Sequence, residues 1–204
     1  GYLLKNFIKL EIPCFGIEPT KNTAKVSELL GVRVIKDFFT HELAIKLSEE
    51  GKQADLIIGN NVYAHVPDIN NFTLGMSKLL KKDGTITLEF PHLMQLIKHS
   101  QFDTIYHEHF SYLSLIAVKN IFLQSKLRIY KVEEIETHGG SLRIFGCHQE
   151  NNIKTEDSVN NIINKELDFG LNKFGTYISF QKKVNLIKNN FLHFLIETHK
   201  ENKK

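Results

Sequence analysis

The sequence predicts an α/β fold with a parallel sheet in its first half, and three observations support this. Short apolar runs alternate with amphipathic segments, which is the pattern of βαβ units. Each run is apolar at successive positions, as expected of a strand that is covered on both faces. Glycines close the intervening helices, where a left-handed residue is favoured.

In the first half the strands are predicted at 13–18, 32–38, 54–60 and 85–90. The helices between them are predicted at 23–30, 40–50 and 68–80, closed in turn by Gly31, by Gly51 and by the Lys-Lys-Asp-Gly turn at 81–84. Each helix therefore has an apolar stripe and a defined stop. We expect a first region, 1–100, with a Rossmann-like sheet.

The pattern changes after Pro91. The second half predicts helices at 92–99 and 114–124, strands at 127–132 and 141–147 joined by a glycine-bearing loop, and two helices within 158–200 interrupted near Gly170 and Gly175. We therefore expect a second, smaller α+β region, 101–157, with a substrate-site segment and a hairpin. A third, helical region, 158–204, follows.

The composition excludes several classes of protein. The chain has 204 residues, 42% of them hydrophobic, which is enough for one domain or slightly more. Its net charge of +3 is spread along the chain, so we expect neither a nucleic-acid partner nor a membrane patch. Two cysteines exclude a disulfide scaffold and favour a reducing compartment. With no apolar stretch of about 18 residues, we expect a cytoplasmic protein.

Polar residues follow two of the predicted strands. Glu18 ends the first strand, where carboxylates of nucleotide-binding folds accept hydrogen bonds from ribose hydroxyls, although a solvent-facing glutamate also fits. Asn60, Asn61 and His65 follow the third strand, at the same edge of the sheet. The asparagines could instead cap the chain locally, and His65 could be an ordinary polar residue. Together these side chains predict a ligand site at the carboxyl edge.

The densest group of reactive side chains lies at 103–112, which reads Asp-Thr-Ile-Tyr-His-Glu-His-Phe-Ser-Tyr. An imidazole such as His109 offers a general base with a starting pKa of about 6.5, and its neighbours could orient it. A His-x-His metal pair needs a strand, where alternate residues share a face, and no strand pattern surrounds His107 and His109. We predict no metal site here.

A fourth candidate is the segment that ends the predicted hairpin loop. Gly139 and Gly140 would let backbone amides approach a ligand, and Arg143 could pair with a phosphate. A glycine-rich hairpin turn explains the two glycines equally well. The segment alone therefore does not decide between a turn and a binding loop.

These segments together resemble the sugar C-methyltransferase family, whose members use S-adenosylmethionine to methylate nucleotide-linked keto-deoxysugars. The resemblance is carried by GIEPT (16–20), DLIIGNNVYAHVPDINNF (55–72), EFPHL (89–93), QFDTIYHEHFSYLS (101–114) and THGGSLRIF (137–145). It covers residues 1 to about 150 and continues more weakly through the helical tail. It implies a class I methyltransferase sheet.

The resemblance also implies that the chain is an internal piece. A family member has an N-terminal zinc module, a central methyltransferase domain and a C-terminal domain. Gly1-Tyr2-Leu3-Leu4 resembles the remnant of the glycine turn after the first strand of the sheet. We therefore expect the zinc module, that first strand and the C-terminal domain to lie outside this sequence, and zinc to belong only to the missing module.

The site residues implied by the resemblance fall into three groups. The base is His109, with Glu108 and Tyr106 orienting it or stabilising an enolate oxygen, and His65 is a second catalytic imidazole. The S-adenosylmethionine site is implied at Gly1, Glu18, Pro19, Phe38, Phe39, Asn60 and Asn61. Substrate contacts are implied at His107, Tyr112, Gly139, Gly140 and Arg143.

The implied reaction is methylation of the sugar carbon beside a 4-keto group, through an enolate that a base generates. Three alternatives stay open. One is an O- or N-methyltransferase of another small molecule, since the fold does not fix the acceptor. The others are a non-catalytic fragment of such an enzyme and a His-x-His metal hydrolase. The sequence does not predict the sugar or the oligomeric state.

Overall fold

A computed structural model describes residues 1–201, so the last three residues of the predicted helical region lie outside the described residues. The helices are α1 Leu4–Lys9, α2 Lys21–Leu29, α3 His41–Glu49, α4 Ile69–Leu79, α5 Leu93–His99, α6 Leu115–Gln124, α7 Asp157–Phe169 and α8 Phe174–Lys200. The strands are β1 Phe15–Ile17, β2 Arg33–Ile35, β3 Ala54–Asn60, β4 Leu80–Pro91, β5 Leu127–Ile135 and β6 Ser141–His148.

The chain divides into two compact units. The first comprises residues 1–53 and 70–79, and the second comprises residues 54–69 and the chain from Leu80 onward. Within the first unit β1 and β2 form a parallel two-stranded sheet, with Ile17 opposite Ile35. Its core contains Ala24, Val32, Ala44 and Leu47, all buried.

The second unit is built on a four-stranded sheet in the order β3-β4-β6-β5. β3 and β4 run parallel, whereas β6 is antiparallel to both β4 and β5. One face of this sheet packs into the core of the unit. The fully buried side chains on this face are Ile86, Leu88, Phe90, Leu142 and Ile144. The predicted hairpin of β5 and β6 therefore continues the sheet of β3 and β4. Strands that we expected in one Rossmann-like sheet thus lie in two sheets of the described chain.

The prediction of a turn at 81–84 is wrong. These residues belong to β4, where the pairing register shifts between Ala54 opposite Leu80 and Leu56 opposite Thr85. A Cβ on Gly84 would lie 3.0 Å from the Asp55 carbonyl oxygen, so glycine permits the close approach of the two backbones. Residues 81–84, which have the composition of a turn, therefore form an irregular part of strand β4.

Two details of the helices also differ from the sequence prediction. Gly170 ends α7 in a left-handed conformation with φ 88°, as expected, but Gly175 lies inside α8. An internal glycine costs a helix only about 1 kcal/mol, so it does not force a break. The sequence did not predict α1, because six residues are too few for a periodic pattern.

The parallel pair β3 and β4 positions the functional segments of the second unit. β3 ends at Asn60 and β4 at Pro91, so the residues that follow each strand emerge at the same edge of the sheet. Residues 63–65 form a 3₁₀ turn there, and His92 forms a parallel bridge with Leu113. The carboxyl edge of β3 and β4 therefore carries the second and third groups of candidate residues. Among the described residues no helix is long and apolar enough to cross a membrane.

The packing at Gly146 gives a direct test of the second unit. A Cβ at this position of β6 would lie 2.5 Å from Cε1 of the fully buried Phe122. We expect Gly146→Ala to lower the free energy of unfolding by about 1–3 kcal/mol, because the ring has to move in a closely packed core. Urea denaturation measures the change.

The matched control is Gly175→Ala, because a Cβ at Gly175 meets no atom within 4 Å. This variant should be as stable as the parent or slightly more stable, since alanine favours a helix. Equal stability of the Gly146 variant and the parent would contradict the packing described here.

Candidate active site

The segment 105–113 lies against the 3₁₀ turn that follows β3. The backbone N–H groups of Phe110 and Ser111 both donate to the Ala64 carbonyl oxygen, at 2.9 and 3.2 Å. At the end of the segment, the Leu93 N–H donates to the Leu113 carbonyl oxygen at 2.9 Å. The segment with the predicted base therefore lies at the carboxyl edge of β3 and β4, next to His65.

His109 is held by a backbone carbonyl. Its Nδ1 lies 3.0 Å from the Thr104 carbonyl oxygen, which can only accept a hydrogen bond, so Nδ1 carries the proton in the neutral ring. Nε2 is then the acceptor, and the Tyr106 hydroxyl lies 3.4 Å from it. This arrangement fixes the tautomer and presents the basic nitrogen to the phenol.

His65 has the same arrangement. Its Nδ1 lies 2.9 Å from the Glu108 carbonyl oxygen, so this nitrogen is also the donor and Nε2 is the acceptor. The ring centroids of His65 and His109 are 4.7 Å apart. Two half-buried imidazoles with unprotonated Nε2 atoms therefore lie side by side.

The other residues of the segment contribute in different ways. Glu108 contacts His65 through its backbone carbonyl, and its side chain is exposed. The residue that orients His109 is Thr104, which the sequence analysis did not single out. The Tyr112 ring packs edge-on to His109 with centroids 5.8 Å apart, whereas His107 is exposed.

The enclosed space beside His109 is small. A cavity of about 10 Å³ is bounded there by side chains that include Pro91, Leu96 and Tyr112. Such a volume holds about one water molecule, so a sugar ring does not fit inside it. The Tyr106 ring, which packs against His109 with centroids 4.5 Å apart, is 42% exposed.

The glycine loop before β6 is attached to the same region. His138, Gly139 and Gly140 all have positive φ angles, of 53°, 75° and 112°. The Gln101 amide donates to the Gly139 carbonyl oxygen at 2.8 Å, and the Gln101 carbonyl oxygen accepts from the Thr104 hydroxyl at 2.8 Å. Gln101 thus connects the loop to the residue that holds His109. The sequence analysis did not identify it.

Arg143 is engaged on the sheet itself. Its Nε donates to Glu89 Oε1 at 2.6 Å, and its Nη1 lies 3.3 Å from Glu133 Oε2, so it bridges β4, β6 and β5. The bond to Glu89 raises the pKa of Arg143, and a hydrogen bond from Lys131 lowers the pKa of Glu133. Two carboxylates already share this guanidinium, and its contact with a phosphate stays a prediction.

Two residues of the first unit fit a nucleoside. Glu18 follows β1, and its Oε1 accepts the Thr20 N–H at 2.8 Å, which orients the carboxylate. Phe38 follows the neighbouring strand β2 and is 69% exposed. Because the two strands are parallel and adjacent, a carboxylate and a flat apolar ring follow them at one edge. These groups suit a ribose and an adenine.

The other predicted cofactor residues of the first unit contribute less directly. Phe39 packs edge-on to Phe72 with centroids 5.0 Å apart, so its ring is part of the packing of the unit. Pro19 is exposed. Gly1 lies against α2, where a Cβ would be 2.8 Å from Ser27 Cα.

Asn60 and Asn61 belong to the second unit. Asn60 is exposed at the end of β3, and Asn61 has a left-handed backbone with φ 54°. The Asn61 N–H donates to the Glu89 carbonyl oxygen at 2.9 Å, while its buried Oδ1 has no hydrogen-bond partner among the described residues. A buried acceptor without a donor is costly, so it is typical of a functional position.

Among the described residues, no group of three or more His, Cys, Asp or Glu side chains could hold a metal ion.

The fold is that of the class I S-adenosylmethionine-dependent methyltransferases. Similar structures include a possible histamine N-methyltransferase from Thermotoga maritima, with 15% identity over 69% of this chain and 75% of that chain and a TM-score of 0.55. A methyltransferase from Anabaena variabilis has 14% identity over 72% of this chain and 73% of that chain, with a TM-score of 0.56. At these identities the likeness shows the fold alone.

The sequence comparisons find similarity to C-methyltransferases. Residues 136–204 match the model of the C-methyltransferase C-terminal domain family. The chain is 34% identical over 165 residues to the C-methyltransferase NovU of Streptomyces niveus, which covers 81% of this chain and 39% of NovU. The family match includes the predicted helical region, 158–204. The predicted domain boundaries stay predictions.

The tautomers of the two imidazoles give a prediction that needs no substrate. Long-range ¹H–¹⁵N spectra at a pH where both rings are neutral should show Nδ1 protonated and Nε2 unprotonated in His65 and His109, because a carbonyl accepts from each Nδ1. His193, exposed on α8, is the reference ring. A protonated Nε2 in His109 would contradict the geometry of the proposed base.

Proposed function

We propose that this chain contributes to an S-adenosylmethionine-dependent enzyme that methylates a nucleotide-linked 4-keto-deoxysugar at the carbon next to the ketone. The observation that carries the proposal is the pair His65 and His109, each with an unprotonated Nε2 at the carboxyl edge of β3 and β4. Carbon methylation needs a base that removes a C–H proton, and this pair supplies one. The similarity to a C-methyltransferase supports the choice of carbon as the acceptor.

Part of the cofactor site is proposed within the first unit. In the first unit, Glu18 would accept hydrogen bonds from the ribose hydroxyls, and Phe38 would lie against the adenine. Within the second unit, Asn61 is a separate predicted cofactor residue, and its buried Oδ1 has no hydrogen-bond partner among the described residues. When bound, S-adenosylmethionine supplies an electrophilic methyl group to the nucleophilic carbon of the substrate.

The acid–base roles follow from the hydrogen bonds. A 4-keto group acidifies the neighbouring C–H bond, and His109 Nε2 would accept that proton while Thr104 keeps Nδ1 protonated. The imidazolium that results can be stabilised by the carbonyl oxygen of Thr104. The Tyr106 hydroxyl, beside the base, would donate to the developing enolate oxygen, and donors placed in advance typically matter by about 2.7–4 kcal/mol. A cytoplasmic location and the contacts of His107, Tyr112 and Arg143 with substrate stay predictions.

His109→Ala should reduce turnover of the protein by at least a hundredfold, because general-base catalysis typically contributes about 10²–10⁴-fold. Tyr106→Phe should reduce it less, since the phenol assists but does not remove the proton. Methyl transfer from radiolabelled S-adenosylmethionine measures both. His193→Ala is the matched control, because it removes an exposed imidazole on α8. Parental turnover in the His109 variant would overturn the assignment.

Solvent deuterium exchange separates carbon methylation from transfer to oxygen or nitrogen. With S-adenosylhomocysteine present, the parent should exchange the proton next to the ketone of a thymidine-diphosphate-linked 4-keto-6-deoxyglucose, and His109→Ala should not. Only a route through an enolate removes that proton. Methyl transfer without any exchange would favour an O- or N-methyltransferase.

Glu18→Gln should weaken binding of S-adenosylhomocysteine by about 10- to 100-fold, because hydrogen bonds to a charged group contribute about 1.5–3 kcal/mol. Isothermal titration calorimetry gives the dissociation constants. Glu28→Gln is the control, since Glu28 forms an exposed ion pair with Lys36 at 2.9 Å and has no role in the proposed site. Equal affinity of the Glu18 variant and the parent would place the ribose elsewhere.

A further inference from the structure

We propose that Glu166, on α7, is a positioning residue that fixes the candidate active site through His92 and the start of α6. The inference deepens the proposed function and rests on it. Neither Glu166 nor His92 is among the predicted site residues, although His92 lies in the motif EFPHL (89–93). They are nevertheless the most deeply buried pair of opposite ionisable types in the described chain, with exposures of 0% and 1%.

The Glu166 carboxylate caps α6. Its Oε1 accepts the Leu115 N–H at 2.5 Å and its Oε2 accepts the Ile116 N–H at 2.9 Å, and these are the first two residues of the helix. A helix N-terminus presents unpaired N–H groups and a partial positive charge, so an anion is stabilised there. The buried charge of Glu166 is therefore compensated by the backbone of a helix 50 residues earlier in the chain.

The same carboxylate accepts a hydrogen bond from His92. Nε2 of His92 lies 2.8 Å from Glu166 Oε1, so Nε2 carries a proton. His92 Nδ1 is buried and has no partner among the described residues. The pair thus has one defined arrangement, in which the imidazole donates and the carboxylate accepts.

Three segments of the candidate site meet at this pair. The His92 N–H donates to the Gly140 carbonyl oxygen at 3.1 Å, which holds the glycine loop. His92 also forms the bridge to Leu113, at the end of the segment that carries His109. The helix that Glu166 caps begins three residues after Tyr112. One carboxylate therefore acts on the start of α6 directly and, through His92, on the glycine loop and the imidazole segment.

Stability alone does not explain a charged group at this position. The N-terminus of α6 already has a cap, since the Ser114 hydroxyl accepts the Ala117 N–H at 3.1 Å. Removing a carboxylate from water is expensive, and buried ionic groups are often no more stabilising than apolar ones. What the carboxylate adds is a set of hydrogen bonds that joins the start of α6 to His92.

The test compares Glu166→Gln with Ser114→Ala in the otherwise unchanged protein. Both variants weaken the same helix end, but only the first alters the bond to His92. With S-adenosylmethionine and thymidine-diphosphate-linked 4-keto-6-deoxyglucose, we expect Glu166→Gln to lower kcat per folded molecule about 10- to 100-fold, as for a misplacement of about 1 Å. The KM for S-adenosylmethionine should change less than twofold. Ser114→Ala should lower Tm and leave kcat unchanged.

A pair of His92 variants keeps the test decisive if Glu166→Gln does not fold. The amide nitrogen of glutamine can replace Nε2 as donor to Glu166, so His92→Gln should retain most of the parental kcat. His92→Leu removes the donor and should lose activity as Glu166→Gln does. Equal kcat in the parent, Glu166→Gln and His92→Leu would overturn the positioning role.

Amide hydrogen exchange tests the positioning without any turnover. The His92 and Leu93 N–H groups, bonded to Gly140 and Leu113, should exchange at least tenfold faster in Glu166→Gln than in Ser114→Ala. If the parent methylates no keto sugar, the proposed function fails and exchange alone decides the role of Glu166. Equal exchange in the two variants would overturn that role even in an active enzyme.

Discussion

The candidate site depends on how an irregular segment is held against the end of a sheet. Residues 105–113 form no long helix or strand, so their placement comes from the Ala64 carbonyl oxygen at one point and the bridge from Leu113 to His92 at another. These contacts use backbone groups on both sides. The main chain of the segment therefore provides the attachment, and the side chains of His109 and Tyr106 are not needed for it. The parallel pair β3 and β4 supplies the rigid edge.

The two kinds of chemistry are distributed between the two units. The carboxylate and exposed ring suited to a nucleoside follow β1 and β2, and the imidazoles follow β3. In each unit the candidate residues follow a strand of a parallel pair. Ligands of such sheets bind at the carboxyl edge of the strands. Asn61 has a strained backbone and an unsatisfied oxygen at one such edge, which is where strain is most often functional.

Features with a periodic or compositional signature could be predicted from the sequence. β3 agrees residue for residue, the helices from α2 to α6 agree within two residues at each end, and the motif residues His65, Tyr106 and His109 do lie together. The rest depends on tertiary contacts. Thr104 acts through a carbonyl oxygen, which every residue has, and Arg143 is engaged by Glu89, 54 residues away. The KKDG segment carries a turn composition, yet the pairing of β4 with β3 overrides it.

The strand order of the second unit bears on how the chain folds during synthesis. β6 lies between β4 and β5, so β5 has no place in the sheet until the ribosome has made the residues that follow it. The β4 edge stays open for the same interval, while about 50 further residues are translated. An apolar strand with unpaired backbone groups is prone to misassociation. A nascent chain that pauses before Ser141 is therefore the form most in need of a chaperone.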